Sequence, residues 1–152
     1  MNKKIFFAIV FSMFFLTVAK AQSLNGSIGS GGIKRGGAAK ATVILNIPEE
    51  LHINSSRPNS EYSVPTHVSV SSPGIKIGAV MYPRGMNKKF GFSDAPLNVY
   101  ERRAAFNFIV AVPKSYKGNT VKIRAVVDYQ ACTNEVCYPP KQQEITLTAK
   151  VR

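Results

Sequence analysis

Residues 120–131, TVKIRAVVDYQA, alternate between apolar and polar side chains along most of their length. Successive side chains of a β-strand point to opposite faces, so a period of two predicts a strand with one buried and one solvated face. The buried face would carry Val121, Ile123, Ala125, Val127 and Tyr129. This stretch therefore indicates a sheet that covers a core on one side.

The same pattern recurs along the chain. It is found in ATVILNI (41–47), HVSVSS (67–72), IKIGAVMY (75–82), AAFNFIVAVP (104–113) and EITLTAKV (144–151). Turn signals rich in Pro, Gly and Asn separate these stretches, and no sustained helical periodicity follows the N-terminal segment. Roughly seven strands in about 110 residues predict an all-β fold, an immunoglobulin-like antiparallel β-sandwich, with a small barrel as the alternative.

One connection lacks the pattern. Residues 83–99, PRGMNKKFGFSDAPLNV, show little alternation. A connection this long in a compact domain is often functional, and the alternative is an ordinary surface loop with a short irregular strand.

The N-terminus has the features of a secretory signal peptide, predicted over residues 1–21. Lys3 and Lys4 precede an apolar run over residues 5–18, and Ala19-Lys20-Ala21 supplies the small residues of a cleavage site before Gln22. The apolar run is shorter than the roughly 20 residues that span a bilayer, which argues against an uncleaved anchor. We therefore expect a periplasmic or secreted protein with no stable membrane insertion.

Residues 22–41 are rich in Gly, Ser and Ala and contain six of the eleven glycines. Such a composition predicts a flexible arm, followed by a single domain over residues 42–152.

The basic residues are scattered along the chain. The net charge is +12, and removal of Lys3, Lys4 and Lys20 with the signal peptide lowers it to +9. No basic helix, RNA-binding signature or zinc-finger spacing accompanies this charge, so no nucleic-acid partner is expected. A solvated basic surface, able to steer an acidic partner, is the simpler interpretation.

Cys132 and Cys137 are the two cysteines of the chain, and four residues separate them. Exported proteins can form and keep disulfides, and the pair would flank a hairpin tip. A permanent bond across so small a ring contributes only about 2 kcal/mol in the loop-entropy model. A metal site would need further ligands, and His52 and His67 lack ligand spacing, so both are interpreted as ordinary surface or core residues. The residues alone leave a redox pair and a structural staple both open.

Residues 127–145, VDYQACTNEVCYPPKQQEI, resemble a known family. The matching elements are Tyr129-Gln130, Cys132 and the run Cys137-Tyr138-Pro139-Pro140, with MYPRGM (81–86) and VYERR (99–103) upstream. The resemblance is to the N-terminal periplasmic domain of the thiol:disulfide interchange protein DsbD, also called the disulfide-bond-corrector domain. It covers about residues 41–152 and implies an immunoglobulin-like sandwich.

The resemblance implies that Cys132 and Cys137 are the catalytic residues of an electron relay without a cofactor. A membrane-embedded or thioredoxin-like donor would reduce the pair, which would then reduce oxidised thioredoxin-fold clients. Because the chain ends at Arg152, the donor is expected in trans. By the resemblance, Cys137 would form the mixed disulfide with partners. The protein would then be a thiol:disulfide oxidoreductase of the electron-carrier type.

The resemblance also implies a cap loop that lays an aromatic ring over the disulfide. It would fall within residues 87–93, with Phe90 or Phe92 as the ring, although either Phe could instead be a packing residue. Supporting roles are expected for Tyr129, Tyr138 and Pro139, the last because proline stiffens the strand behind the sulfur.

The sequence departs from the family pattern at two places. The cysteine spacing is one residue shorter than in the best-known member, and Lys88 and Lys89 stand where that member has acidic cap residues.

The alternative function is a non-enzymatic β-sandwich binding module with a permanent hairpin disulfide.

Overall fold

A computed structural model describes residues 21–152, so the predicted signal peptide lies outside the described residues except for Ala21. The described chain is built from strands without a helix. In chain order these are β1 (Ser23–Ile28), β2 (Ala38–Asn46), β3 (His52–Asn54), β4 (His67–Ser71), β5 (Lys76–Ile77), β6 (Met86–Lys88), β7 (Leu97–Glu101), β8 (Arg103–Ala111), β9 (Thr120–Tyr129), β10 (Ala131–Cys132) and β11 (Lys141–Lys150).

Two antiparallel sheets form the main body of the domain. One has the strand order β1-β2-β8-β5, and the other has the order β11-β9-β4. Their inward side chains belong to one hydrophobic core, and the fully buried members include Val43, Leu45, Phe106, Phe108, Val110, Val121, Ile123, Ala125, Val127 and Tyr129. The prediction of an antiparallel β-sandwich is confirmed, because the period-two pattern places alternate residues of β8 and β9 in this core.

A third, smaller antiparallel sheet has the order β10-β3-β7-β6. It continues strands of the other two sheets: β7 leads into β8 through Arg102, which has a φ of 60°, and β9 leads into β10 through Gln130. Because these junctions and the end of β2 lie at the same end of the sandwich, the small sheet extends that end. Both cysteines are located there.

The expectation of a flexible arm over residues 22–41 is wrong. Residues 23–28 form β1, which pairs with β2 from Ser23 opposite Asn46 to Ile28 opposite Ala41. The following glycine-rich turn is also held, since Ile33 is buried and its N–H donates to the Lys150 carbonyl at 2.8 Å. Composition indicated flexibility, but the free edge of β2 provides hydrogen-bond partners that composition does not reveal.

Among the glycines of this turn, Gly32 has a structural role. Its φ is +91°, and a Cβ placed there would come within 2.8 Å of the Lys150 carbonyl oxygen. A residue with a side chain would therefore be strained and would push the turn away from β11.

Most of the short strands were not predicted, although a short irregular strand within residues 83–99 was the alternative to a functional loop. The stretch 83–99 contains β6 and the start of β7, and β3 was not anticipated at all. The predicted strand over residues 75–82 is reduced to the two residues of β5 and an isolated bridge between Met81 and Asn107. Strands of two or three residues are too short to establish a period in the sequence, whereas the five-residue β4 was predicted from its alternation.

Within residues 21–152, we found no helix with the length and apolar character needed to cross a bilayer.

Candidate functional site

Cys132 and Cys137 are joined by a disulfide across a tight hairpin. The S–S distance is 2.01 Å and the two Cα atoms are 3.9 Å apart. The hairpin hydrogen bonds lie on either side of the pair, from the Thr133 N–H to the Val136 carbonyl and from the Tyr138 N–H to the Ala131 carbonyl. The cysteines therefore occupy directly opposite, non-hydrogen-bonded positions, where side chains of neighbouring strands approach most closely.

The turn between the cysteines is organised by Thr133. Its Oγ1 accepts hydrogen bonds from the backbone N–H groups of Glu135 and Val136, at 3.1 and 3.0 Å. A threonine hydroxyl at the start of a turn commonly satisfies N–H groups in this way. The four residues between the cysteines thus form a defined turn that holds the sulfur atoms together.

The two cysteines differ in exposure. Cys132 is completely buried, whereas Cys137 is exposed and is flanked by the exposed side chains of Val136 and Tyr138. A thiolate from solvent or from a docked protein attacks an accessible sulfur, so the exposure favours attack on Cys137 over attack on Cys132.

A chain of amide hydrogen bonds connects the hairpin to β3. The Gln130 Nε2 donates to the Tyr138 carbonyl at 3.1 Å, and the Asn54 Nδ2 donates to the Gln130 Oε1 at 3.3 Å. The Asn54 Nδ2 also donates to the Val64 carbonyl at 3.1 Å. These contacts fix the segment after Cys137 against the buried side chain of Asn54.

The segment that was expected to cap the disulfide presents two stacked aromatic rings. Phe90 is buried in a small cluster with Leu97 and Val99, and its ring stacks on that of His52 at a centroid distance of 4.0 Å. The Phe92 ring also stacks on Phe90, at a centroid distance of 5.4 Å, and is 43% exposed. Phe90 therefore anchors the segment, while Phe92 is its outer ring.

Phe92 and Cys137 line the same cavity, which has a volume of about 740 Å³. Its other lining residues include Tyr62, which is 88% exposed, Asn54 and Gln130. The exposed cysteine thus lies at the wall of a cavity with aromatic side chains. A larger cavity of about 900 Å³, lined by residues such as Arg57, Tyr82 and Arg84, contains neither cysteine.

The residues expected in supporting roles are found in different environments. Tyr129 is fully buried in the core, and its hydroxyl accepts a hydrogen bond from the Gln143 Nε2 at 3.0 Å. Burial raises the pKa of the Tyr129 hydroxyl, and the hydrogen bond from Gln143 partly opposes this. Tyr138 and Pro139 are exposed in the segment between Cys137 and β11.

His52 is the residue that sequence reasoning missed. It lies directly opposite Cys132 on one side and Glu101 on the other, so Cys137, Cys132, His52 and Glu101 form one row across the small sheet. His52 is 2% exposed, and its Nε2 has no hydrogen-bond partner within residues 21–152. The row depends on pairing between distant strands, and no local pattern in the sequence could have indicated it.

The charge state of His52 follows from its surroundings. Burial lowers its pKa to about 4, the Glu101 carboxylate acts in the opposite direction, and the Lys88 ammonium adds to the lowering. Lys88 in turn forms an ion pair with Glu101. His52 is therefore neutral at physiological pH. His67, by contrast, is exposed on β4 near Asp128.

The fold and the site define an antiparallel β-sandwich with a half-exposed disulfide at one end. Comparison with known proteins agrees: residues 33–149 match the family described as the N-terminal domain of thiol:disulfide interchange protein DsbD. The chain belongs to this family of thiol:disulfide interchange domains, as the sequence resemblance predicted. Among curated protein sequences, no significant match to the chain was found.

Two solved structures resemble the chain. A chain in the complex between the DsbD N-terminal and PilB N-terminal domains from Neisseria meningitidis is 18% identical, with a TM-score of 0.54, over 88% of this chain and 87% of that chain. The N-terminal periplasmic domain of ScsB from Proteus mirabilis is 13% identical, with a TM-score of 0.48, over 84% of this chain. The match spans 44% of the ScsB chain. The likeness to the Neisseria chain confirms the predicted immunoglobulin-like fold.

Proposed function

We propose that the protein passes electrons through the Cys132–Cys137 pair from a reductase to oxidised exported proteins. The donor would be a membrane-embedded or thioredoxin-like protein acting in trans, and the clients would have the thioredoxin fold. The observation that carries this proposal is the asymmetric disulfide, with Cys132 buried and Cys137 exposed at a cavity lined by Phe92. Membership of the DsbD N-terminal family supports it.

The proposed exchange proceeds through Cys137 in both directions. A donor thiolate attacks the Cys137 sulfur, the Cys132–Cys137 bond breaks, and Cys132 leaves as a thiolate. A second donor thiol then attacks the donor's sulfur in the mixed disulfide. This step releases Cys137 and leaves the pair as two thiols, with the donor oxidised. The reduced Cys137 then attacks a client disulfide, and Cys132 resolves that mixed disulfide.

We further propose that residues 87–93 act as a cap that is displaced when a partner docks. Phe90 holds the cap by its stacking on His52, and Phe92 is the ring that a partner would meet first. His52 lies directly opposite Cys132 in the sheet, so its ring is on the face of the small sheet that carries the disulfide. The Phe90 and Phe92 rings, stacked on it in turn, lie on that same face. In the Neisseria complex a DsbD N-terminal domain is bound to another protein domain, which supports docking by partners.

A periplasmic location is part of the proposal. It is supported by the signal peptide predicted over residues 1–21, with cleavage before Gln22, and by the DsbD family match. Such a compartment allows the disulfide to form and persist.

Trapping of mixed disulfides tests the proposal. The Cys132→Ser protein retains the exposed Cys137, so it should form stable covalent adducts with a disulfide-containing thioredoxin-fold protein. The matched Cys137→Ser protein retains the buried Cys132 and should form few adducts. Adducts are counted on non-reducing gels and identified by mass spectrometry.

The reduction potential separates the proposal from the alternative of a permanent staple. Structural disulfides usually have potentials below about −300 mV, whereas exchange sites are more easily reduced. If a thioredoxin-like donor cannot reduce the bond in the folded protein, and Cys132→Ser traps nothing, the redox function is excluded.

A further inference from the structure

His52 occupies the central strand of the small sheet, between the strand of Cys132 and that of Glu101. Directly opposite residues of antiparallel strands project from the same face, with their Cβ atoms about 5 Å apart. The imidazole of His52 therefore lies beside the buried sulfur of Cys132, on the side away from Cys137. This position follows from strand pairing.

The Nε2 of His52 is buried and has no hydrogen-bond partner in the described part of the chain. A buried polar atom without a partner is costly, so it points to a partner that is present in another state. In the disulfide form Cys132 carries no proton to donate, whereas in the dithiol form its S–H can donate to an imidazole nitrogen. The missing partner would thus appear when the pair is reduced.

We propose that His52 accepts the proton of the Cys132 thiol when Cys132 resolves a mixed disulfide formed at Cys137. This inference rests on the proposed electron-relay function and assigns a role that the two cysteines leave open. A cysteine thiol is mostly protonated at neutral pH, and only its thiolate is a good nucleophile, so Cys132 needs a base to react quickly. A neighbouring neutral imidazole is a suitable base for activating such a thiol.

The step balances as follows. The proton of the Cys132 thiol moves to the His52 imidazole, which leaves a thiolate beside an imidazolium. The thiolate attacks the Cys137 sulfur, the Cys132–Cys137 bond forms, and the bond between Cys137 and the client breaks. The client sulfur leaves as a thiolate, and the imidazolium returns its proton to that thiolate or to water.

The charged groups around His52 act on its protonation in opposite directions. Glu101 on β7 lies next to it in the row, and a carboxylate stabilises the imidazolium that forms during the step. Lys88 on β6 pairs with Glu101 and disfavours a permanent charge on the histidine. Phe90 covers the ring and restricts access of water. His52 is thus neutral and ready to accept a proton before the reaction.

Reaction of the reduced protein with dithiobis(nitrobenzoate) isolates the step. Cys137 attacks the reagent and releases one thionitrobenzoate, and Cys132 then resolves the mixed disulfide and releases the second. In His52→Gln the second release should slow at least tenfold at neutral pH and regain speed in alkali, since general bases typically contribute 10² to 10⁴-fold. Below the pKa of Cys132, the rate of the second release in His52→Gln should rise about tenfold per pH unit. The same rate in the wild type should stay nearly constant.

His67→Gln is the matched control, because His67 is exposed on β4 and lies outside the row. It should leave both releases unchanged. An equal second release in wild type and His52→Gln across the pH range would overturn the inference while leaving the relay function intact. If a thioredoxin-like donor cannot reduce the disulfide of the unmodified protein, the relay function itself fails.

A measurement on the unmodified protein covers the case in which His52→Gln does not fold. The NMR signal of the His52 ring should show an additional inflection with pH in the reduced protein, at the ionisation of Cys132, that is absent in the disulfide form. Identical titration curves in the two redox states would overturn the inference. A redox-dependent inflection at His67 instead of His52 would overturn it as well.

Discussion

The two-sheet sandwich and the small sheet at its end differ in the kind of side chain that they bury. The inward faces of β8 and β9 are apolar throughout and completely buried. The small sheet has strands of two to five residues and buries His52 and Asn54, each with a side-chain atom that has no hydrogen-bond partner among residues 21–152. The sandwich thus stabilises the protein through hydrophobic burial. The small sheet buries polar atoms without hydrogen-bond partners, which costs free energy, at the place where the reactive groups are held.

The largest expected effect is a difference in stability between an alanine variant of the sandwich and one of the expected cap. Phe108→Ala removes a fully buried ring from the sandwich and should lower the free energy of unfolding by about 3–5 kcal/mol. Phe92→Ala removes a ring that is 43% exposed and should cost less than about 1.5 kcal/mol. Chemical denaturation of both variants measures the difference. Equal losses would mean that the cap packs as tightly as the core.

The second prediction compares glycines of the two regions. Gly32→Ala strains a backbone at positive φ and contacts the Lys150 carbonyl, so it should destabilise by about 1–3 kcal/mol. Gly91→Ala, in the expected cap, adds a Cβ that meets no heavy atom within 4 Å in the described part of the chain apart from its two neighbours in sequence, and it should have almost no effect. Thermal unfolding distinguishes the two variants. An unaffected Gly32→Ala protein would show that residues 29–37 are not held against β11.

The third prediction concerns pH. The His52 pKa is about 4 in the folded protein and 6.5 in the reference state, so the unfolded chain binds more protons between these values. Stability is therefore fully present above about pH 6.5 and decreases as the pH falls toward about 4, by about 1–2 kcal/mol once solvent screening is allowed for. The free energy of unfolding should depend less on pH between about 4 and 6.5 in His52→Gln than in the wild type, whereas His67→Gln should keep the wild-type pH dependence. Matching pH dependence in wild type and His52→Gln would contradict the burial of a neutral imidazole.

The smallest effect tests the cap. If Phe92 shields Cys137, Phe92→Ala should accelerate reduction of the disulfide by dithiothreitol by about two- to tenfold, which is about 0.4–1.4 kcal/mol of barrier. Ile109→Ala removes a side chain of similar exposure from β8 and serves as the control. Reduction is followed by alkylation and mass spectrometry. An unchanged rate in Phe92→Ala would mean that Phe92 does not protect the sulfur.

Prediction from sequence succeeded in the sandwich because its signal is local. In β8 and β9 the alternation extends over nine and ten residues, and the five β9 positions assigned to the core are all fully buried: Val121, Ile123, Ala125, Val127 and Tyr129. The flexible arm was predicted from glycine and serine content, and it failed because an edge strand depends on the partner that it meets. The short strands β3, β6 and β10 contain too few residues to show any period.

For the candidate site, the sequence by itself determined the two cysteines, the short hairpin between them and the family to which they belong. Only the tertiary structure decided that Cys132 is buried while Cys137 is exposed, and that Phe90 anchors the expected cap while Phe92 faces the cavity. It also placed His52, 80 residues earlier in the chain, beside Cys132. The physical reason is register: the pairing of distant strands sets which side chains become neighbours, and a one-residue shift would turn each of them to the opposite face.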